Sequence, residues 1–321
     1  DIYIVYLLSC SLGVNIDSFV LGTAEVIRYP VFELPFLKHI NKKILLEKLQ
    51  KFNPTVLHCL CETRARLTMQ LARRLDLPYL LMINSLMQRL GHIPISLKRC
   101  KKIIVPAKTI AENIFQSDPR LSEKIQQINI GTFTPEKIKC FSQPSKITTI
   151  LTAHQFQKVE EFENLFSAVR HLRIEDYEFM IVIINQGRSE RQLWKLLNAL
   201  DLLQIVTIIP KLTHRNITMG IGDIFIQPQP VNSFNPFLLQ AMSTGSAIAA
   251  CKGGVDDLII ENETAVVFNP DDELNVMQTL QNLLGRREFA QKIAKNAQQF
   301  IKKNHSVSNM ISTYLELYNE M

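Results

Sequence analysis

Residues 231 to 259, "VNSFNPFLLQAMSTGSAIAACKGGVDDLI", hold the densest run of side chains able to touch a ligand. Asn232, Ser233 and Asn235 precede Pro236 and an apolar run with helical spacing that stops at Gly245. The pattern predicts a helix beginning near Asn235, with Pro236 in the first turn, where its missing N–H costs nothing. Ser233, Phe234 and Asn235 then stand at the helix N-terminus, where exposed backbone N–H groups and the positive end of the dipole attract phosphate. Gly253 and Gly254 follow, and let a second loop approach the same ligand. Asn232 and Gln240 add carboxamides, which accept hydrogen bonds from hydroxyls but carry no charge.

The other chemistry is electrostatic. Net charge is +6, unevenly spread: 20 Lys and Arg stand against 11 Asp and Glu through residue 145, a net of +9, and 16 against 19 thereafter, a net of −3. The basic clusters are Arg64, Arg66, Arg73 and Arg74, then Lys98, Arg99, Lys101 and Lys102. Such a first half attracts anionic headgroups or polyanionic glycans, with Arg64, Arg66, Lys98 and Arg99 the foremost candidates, or forms a solvated helix face. Nucleic acid is disfavoured, because no stacking aromatics interleave with these bases.

Six scattered cysteines and no signal peptide fit a reducing, cytosolic setting, with peripheral contact at the inner face of a membrane as a further expectation. Cys59 and Cys61 lack a second ligand pair at zinc spacing, so no metal or other cofactor is expected. Apolar runs such as "IYIVYLL" and "LPYLLMI" are far shorter than the roughly 20 residues that cross a bilayer.

What must position these groups is an alternation of strands and helices, the pattern of parallel α/β sheets. Strands are predicted at "DIYIVYLLS", "AEVIRY", "PTVLHCL", "PYLLMIN", "KKIIVPA" and "KIQQINI", with helices over about 38–52, 63–76 and 107–116. The second half repeats the scheme with "KITTILTA", "YEFMIVIIN", "LQIVTII", "GDIFIQP", "SAIAAC" and "AVVFN", and helices near 160–172, 189–200, 235–244 and 272–284. Two more helices close the chain, over 287–302 and 307–320, the last capped by Ser306 and carrying Ile311, Tyr314, Leu315 and Tyr318 on one side. At 321 residues the chain suits two domains, and "FSQPSK" at 141–146 marks the break. Two doubly wound sheets then face one cleft. No G-x-G-x-x-G or Walker sequence points to nicotinamide or ATP.

With these elements placed, "GDIFIQPQPVNSFNPFLLQAMSTGSAIAACKGGVDDLIIENETAVVFNPDD" resembles the nucleotide-sugar domain of glycosyltransferase family 4. Asp223, Pro228, Phe234, Ala241, Met242, Gly245, Gly253, Gly254, Asn262, Thr264 and Pro270 keep the family's places. "NPTVLHCL", "LARRLDLPYLLMINSL" and "KKIIVPAKTIAENI" match the first domain more loosely. The resemblance implies a retaining enzyme of the GT-B fold. It would have an acceptor domain at 1–144, a nucleotide-sugar domain at 145–305, and a helix at 306–321 that returns to the first. It also makes "DIYIVYLLS" the family's second strand, so its first strand and glycine loop are expected to be missing or to precede Asp1.

The family's charges are where the resemblance fails. Its Arg and Lys, which face the departing diphosphate, fall at Gln155 and Glu160, with Lys158 the nearby substitute and His154 at a glycine position. Its E-x7-E pair falls at Asn232 and Gln240, and its cleft histidine at Asn84; His58 matches a strand histidine and reads as structural. The expected donor contacts are therefore Asn232, Ser233, Phe234, Asn235, Gln240, Lys158, Gly253 and Gly254. The expected function is sugar transfer from a nucleotide sugar to a glycan or lipid acceptor through a degenerate site. The alternative is an inactive homologue serving as partner of an active glycosyltransferase, or as a glycan- or anion-binding subunit.

Overall fold

The computed structural model describes residues 4–8, 26–30, 35–86, 93–143, 147–154, 158–185, 190–210 and 222–321. Twelve strands and nine helices follow one another in these residues. The strands are β1 (Ile4–Leu8), β2 (Val26–Pro30), β3 (Leu57–Cys59), β4 (Tyr79–Met82), β5 (Cys100–Val105), β6 (Ile125–Gln127), β7 (Thr148–His154), β8 (Phe179–Asn185), β9 (Val206–Pro210), β10 (Ile224–Gln227), β11 (Ala247–Ala250) and β12 (Val266–Val267). The helices are α1 (Pro35–Phe52), α2 (Ala65–Leu75), α3 (Lys108–Ser117), α4 (Glu163–Ile174), α5 (Glu190–Ala199), α6 (Pro236–Thr244), α7 (Glu273–Gly285), α8 (Arg287–Asn304) and α9 (Val307–Asn319). Every predicted strand and helix is present. The first six strands do not join one sheet: β1 and β2 form a separate parallel pair, beside a four-stranded sheet in the order β3-β4-β5-β6.

Packing divides the chain into two compact units, residues 1–83, 91–104 and 321, and residues 84–90 and 105–320. The predicted domain boundary at 144/145 lies outside the described residues. In the smaller unit, Tyr79, Leu80 and Leu81 of β4 are fully buried between parallel neighbours β3 and β5. Helix α2 buries Ala65, Thr68, Leu71 and Ala72, one helical stripe, and turns Arg66, Arg73 and Arg74 to solvent. Leu71 packs with Leu45 and Leu49 of α1.

The larger unit is built on six strands in the order β12-β11-β10-β7-β8-β9, with all described pairings parallel. Such strands are buried on both faces, which is why they read as unbroken Ile, Val and Ala runs without alternation. Ile150, Ile181, Ile183, Ile224 and Ile226 pack against Phe166, Val169 and Leu172 of α4 and Val276, Leu280 and Leu283 of α7. Asp223, 8% exposed, staples the start of the sheet: its two carboxylate oxygens accept from Phe141 N at 2.8 Å and Thr149 N at 2.9 Å.

The last helix is capped as expected, Ser306 Oγ accepting from Asn309 N at 3.4 Å, and its first turn lies on the 130–132 segment, where Thr132 bridges Ser306. Its buried residue is Leu317. Ile311 and Leu315 are each 48% exposed, contrary to the packing expected of them, while Tyr314 and Tyr318 stack on each other at 6.3 Å.

Candidate donor site at the carboxyl edge of the six-stranded sheet

The strand order reverses between β7 and β10: from β7 the chain winds outward through β8 and β9, then returns to the other side for β10, β11 and β12. Loops leaving adjacent strands at such a reversal diverge, which opens a crevice at their carboxyl ends. The groups that bound it are the ends of β7 and β10, the turn after β7, the 228–235 loop and the Gly253–Gly254 loop.

On the β7 side, Thr152 is 2% exposed and its Oγ1 has no hydrogen-bond partner. His154 ends the strand, paired in register with Asn185, and is not in the loop where it was expected. Its ring meets Phe162 edge-on at 5.3 Å, and burial pushes its pKa down to about 4, so at neutral pH it offers no positive charge. Gln155 lies outside the described residues. Lys158 is exposed and 3.7 Å from Glu161 on its own turn, and Glu160 is exposed as well.

On the β10 side, a residue not singled out in the sequence organises the edge. Gln227 ends the strand 1% exposed; its Oε1 accepts from Asn235 Nδ2 at 2.9 Å, and its own Nε2 has no partner. The signal was there: a carboxamide closing an apolar strand, "IFIQ", is buried whichever way the strand faces. Gln229 Nε2 donates to Glu161 O at 2.6 Å, tying the loop after β10 to the turn after β7 across the reversal point.

Helix α6 starts where predicted, but its N-terminus does not present free donors. Asn235 Oδ1 accepts from both Phe237 N at 3.0 Å and Leu238 N at 3.2 Å, Leu239 N donates to Asn235 O, and Pro236 has no N–H. The side chain expected to help bind phosphate has capped the helix instead, because a buried N-terminal turn must satisfy those donors internally. Phe234 is buried, its ring 6.4 Å from that of His305, and its N–H donates to Asn84 O at 2.8 Å. Asn232 O accepts from Leu86 N at 2.7 Å and Ser233 bridges Ser85, so Asn84 meets this loop through its backbone. The Asn232 side chain is exposed and Gln240 half-buried.

The two glycines have local reasons. At Gly254, φ is +75°, and a Cβ would sit 2.4 Å from Val231 O, where Val255 N donates at 2.8 Å. Gly253, at φ +111°, donates its N–H to Asp256 Oδ2 at 3.0 Å, so the expected approach to a ligand is here an approach to the 230–231 backbone. Asp257, also missed, accepts from Thr109 N at 3.0 Å at the start of α3, a carboxylate at a helix N-terminus.

The basic candidates separate. Because β3, β4 and β5 are parallel, Arg64 and Arg66 stand after β3 at the carboxyl edge of the small sheet, while Lys98 and Arg99 precede β5 at its amino edge. The 11 residues of α2 run between the two edges, and Arg99 pairs with Asp76 beyond that helix's far end. They do not form one anion site. His58 is half-buried with its pKa pushed down to about 4 by burial, in keeping with a structural role. No group of three or more His, Cys, Asp or Glu able to hold a metal gathers among the described residues, and no described helix is long and apolar enough to cross a membrane.

Residues 134–300, just over half the chain, match the family described as Glycosyl transferases group 1. The chain belongs to that family. Among curated relatives, this group 1 glycosyltransferase is 34% identical over 86 residues to the sulfoquinovosyl transferase SQD2 of Arabidopsis thaliana, covering 26% of this chain and 17% of that one. It is 24% identical over 226 residues to the uncharacterized glycosyltransferase YqgM of Bacillus subtilis, covering 69% and 56%. The chain thus spans less than two thirds of either relative. Among solved structures, Anabaena Alr3699/HepE superposes with a TM-score of 0.75 at 12% identity, covering 93% of this chain and 86% of that one. A glycosyltransferase from Rickettsia africae superposes at 0.69 with 20% identity, covering 92% and 85%. A sucrose-phosphate synthase from Thermosynechococcus elongatus superposes at 0.71 with 15% identity, covering 92% and 82%. These likenesses establish the GT-B fold.

Proposed function

We propose that this group 1 glycosyltransferase is a divergent, retaining member of family 4 that transfers a sugar from a nucleotide-sugar donor to a glycan or lipid acceptor, through a site weakened by loss of charge. The observation that carries the reading is the crevice between β7 and β10, edged by the buried amide of Gln227 with its unsatisfied Nε2. Solved structures of the same fold support the choice of ligand: Alr3699/HepE was crystallised with UDP-glucose, and TarM of S. aureus with UDP and alpha-GlcNAc-glycerol. In this reading Lys158 faces the diphosphate, Asn232 and Gln240 hold hydroxyls of the sugar and ribose, and the Gly253–Gly254 loop borders the phosphates. No resident metal is involved.

Each missing charge-assisted contact forfeits about 1.5–3 kcal/mol of affinity. Each missing donor to the leaving oxygen lowers the rate by roughly 100- to 1,000-fold. Slow turnover and weak donor binding follow. Calorimetric titration with UDP and GDP, beside a donor panel with products read by mass spectrometry, tests the proposal. Binding in the range of about 0.1–1 mM with slow product formation is expected; no binding near 1 mM ends it.

A second reading is favoured by the capped N-terminus of α6 and the exposed Glu160, which leave little to oppose phosphate charge: a silent homologue that accompanies an active glycosyltransferase. Nucleotide binding without product, together with co-purification of such an enzyme, supports it; turnover by the isolated chain ends it.

A further inference from the structure

We propose that the amino edge of the four-stranded sheet, in the smaller unit, is a docking surface for an anionic lipid bilayer, independently of what the donor site does. The hydrogen bonds Leu57 N to Pro78 O and Tyr79 N to Arg99 O set the starts of β3, β4 and β5 side by side. Parallel connection then brings to this edge the last turns of α1 and α2, each of which feeds the next strand. Six exposed cations gather there: Lys48 and Lys51 from α1, Arg73 and Arg74 from α2, and Lys98 and Lys101 around the start of β5. The acids there, among the described residues, are Glu47 and Asp76, and Asp76 is paired with Arg99 at 2.5 Å.

Cations at helix ends complement the dipole and need no ligand to explain them. Lys98 and Lys101 are on no helix, however, and they flank the position that decides between ligands. Leu97 is 48% exposed beside Lys98, and the preceding residue is held in place by Ser96 N donating to Tyr79 Oη at 2.9 Å. An apolar side chain fixed among cations suits a surface that offers both anionic headgroups and hydrocarbon. A nucleic acid would call for stacking rings, and no exposed aromatic stands at this edge among the described residues.

The test is co-sedimentation of the full chain with phosphatidylcholine vesicles, with and without about one third phosphatidylglycerol, at about 0.1 M and 0.5 M salt. Binding is expected only to the anionic vesicles, and at least about tenfold weaker at the higher salt. Lys98→Gln with Lys101→Gln should weaken it roughly 25-fold, at about fivefold per charge. Leu97→Ser should cost roughly fivefold more and leave the salt dependence unchanged. Arg64→Gln with Arg66→Gln, at the opposite edge, should stay within about twofold of the parent. All these side chains sit at the surface, and unchanged circular dichroism and melting temperature will show that the variants fold. The proposal is overturned by no binding to anionic vesicles, by equal binding to neutral ones, or by an equal loss in the Arg64/Arg66 pair. It is equally overturned if heparin binds as tightly as vesicles and Leu97→Ser changes nothing, since that describes a soluble polyanion.

Discussion

Replacing Asn235 separates a helix cap from a ligand-binding residue. In Asn235→Ala, Phe237 N and Leu238 N lose their acceptor, a cap loss of about 1 kcal/mol with a range of roughly 0.5–2. Gln227 Oε1 also loses its donor at a position 1% exposed, which adds about 1–3 kcal/mol for an unsatisfied buried acceptor. The sum is a destabilisation of about 2–4 kcal/mol. Asn235→Asp keeps the acceptor and places negative charge at the N-terminus of α6, worth about 0.3–1 kcal/mol. The Gln227 amide can then turn over, so that its orphaned Nε2 donates to the new carboxylate; the net change should stay within about 1 kcal/mol. Urea unfolding followed by fluorescence of Trp194, the single tryptophan, reads the larger unit directly, since α5 belongs to it. If Asn235→Ala costs less than about 0.5 kcal/mol, or Asn235→Asp costs as much as Asn235→Ala, the capping argument is wrong.

Three other outcomes are expected. Asp223→Asn, which turns one of two backbone acceptors into a donor facing an N–H, should destabilise the larger unit by about 3 kcal/mol or more in the same urea assay. Lys158→Gln should weaken UDP binding by roughly 10- to 100-fold in calorimetry, with a stability change below about 0.5 kcal/mol, because its pairing with Glu161 is an exposed one. His154 is neutral in the fold because burial depresses its pKa from 6.5 to about 4, so the unfolded chain takes up its proton first as pH falls. Its contribution is full above about pH 6.5 and is lost as pH drops towards 4, by up to about 3 kcal/mol, and His154→Gln should flatten that part of the stability profile. His58, also depressed to about 4, will keep a slope of its own.

The elements were legible because their signals are local. Ile, Val and Ala runs such as "ILTA" and "IFIQ" have no alternation to mistake for a half-exposed strand, and Asn235, Pro236 and Gly245 punctuate α6 at both ends. The family pattern of spaced glycines, Asp223 and Pro228 was legible for the same reason. Asp223 shows the limit: its place was kept, but its work, joining Phe141 and Thr149, spans residues 82 and 74 positions away.

What the sequence determined by itself was therefore the order of strands and helices, the start of α6 and the family, all of which rest on residues within a few positions of one another. The tertiary structure decided what the polar groups are for. Asn235 is consumed by its own helix and by Gln227, Gly254 yields to the Val231 carbonyl, and Arg64 is parted from Arg99 by the length of α2. A hydrogen bond goes to whichever partner folding brings within about 3 Å, and charges form a patch only when the sheet returns them to the same edge. Neither condition is written in spacing along the chain.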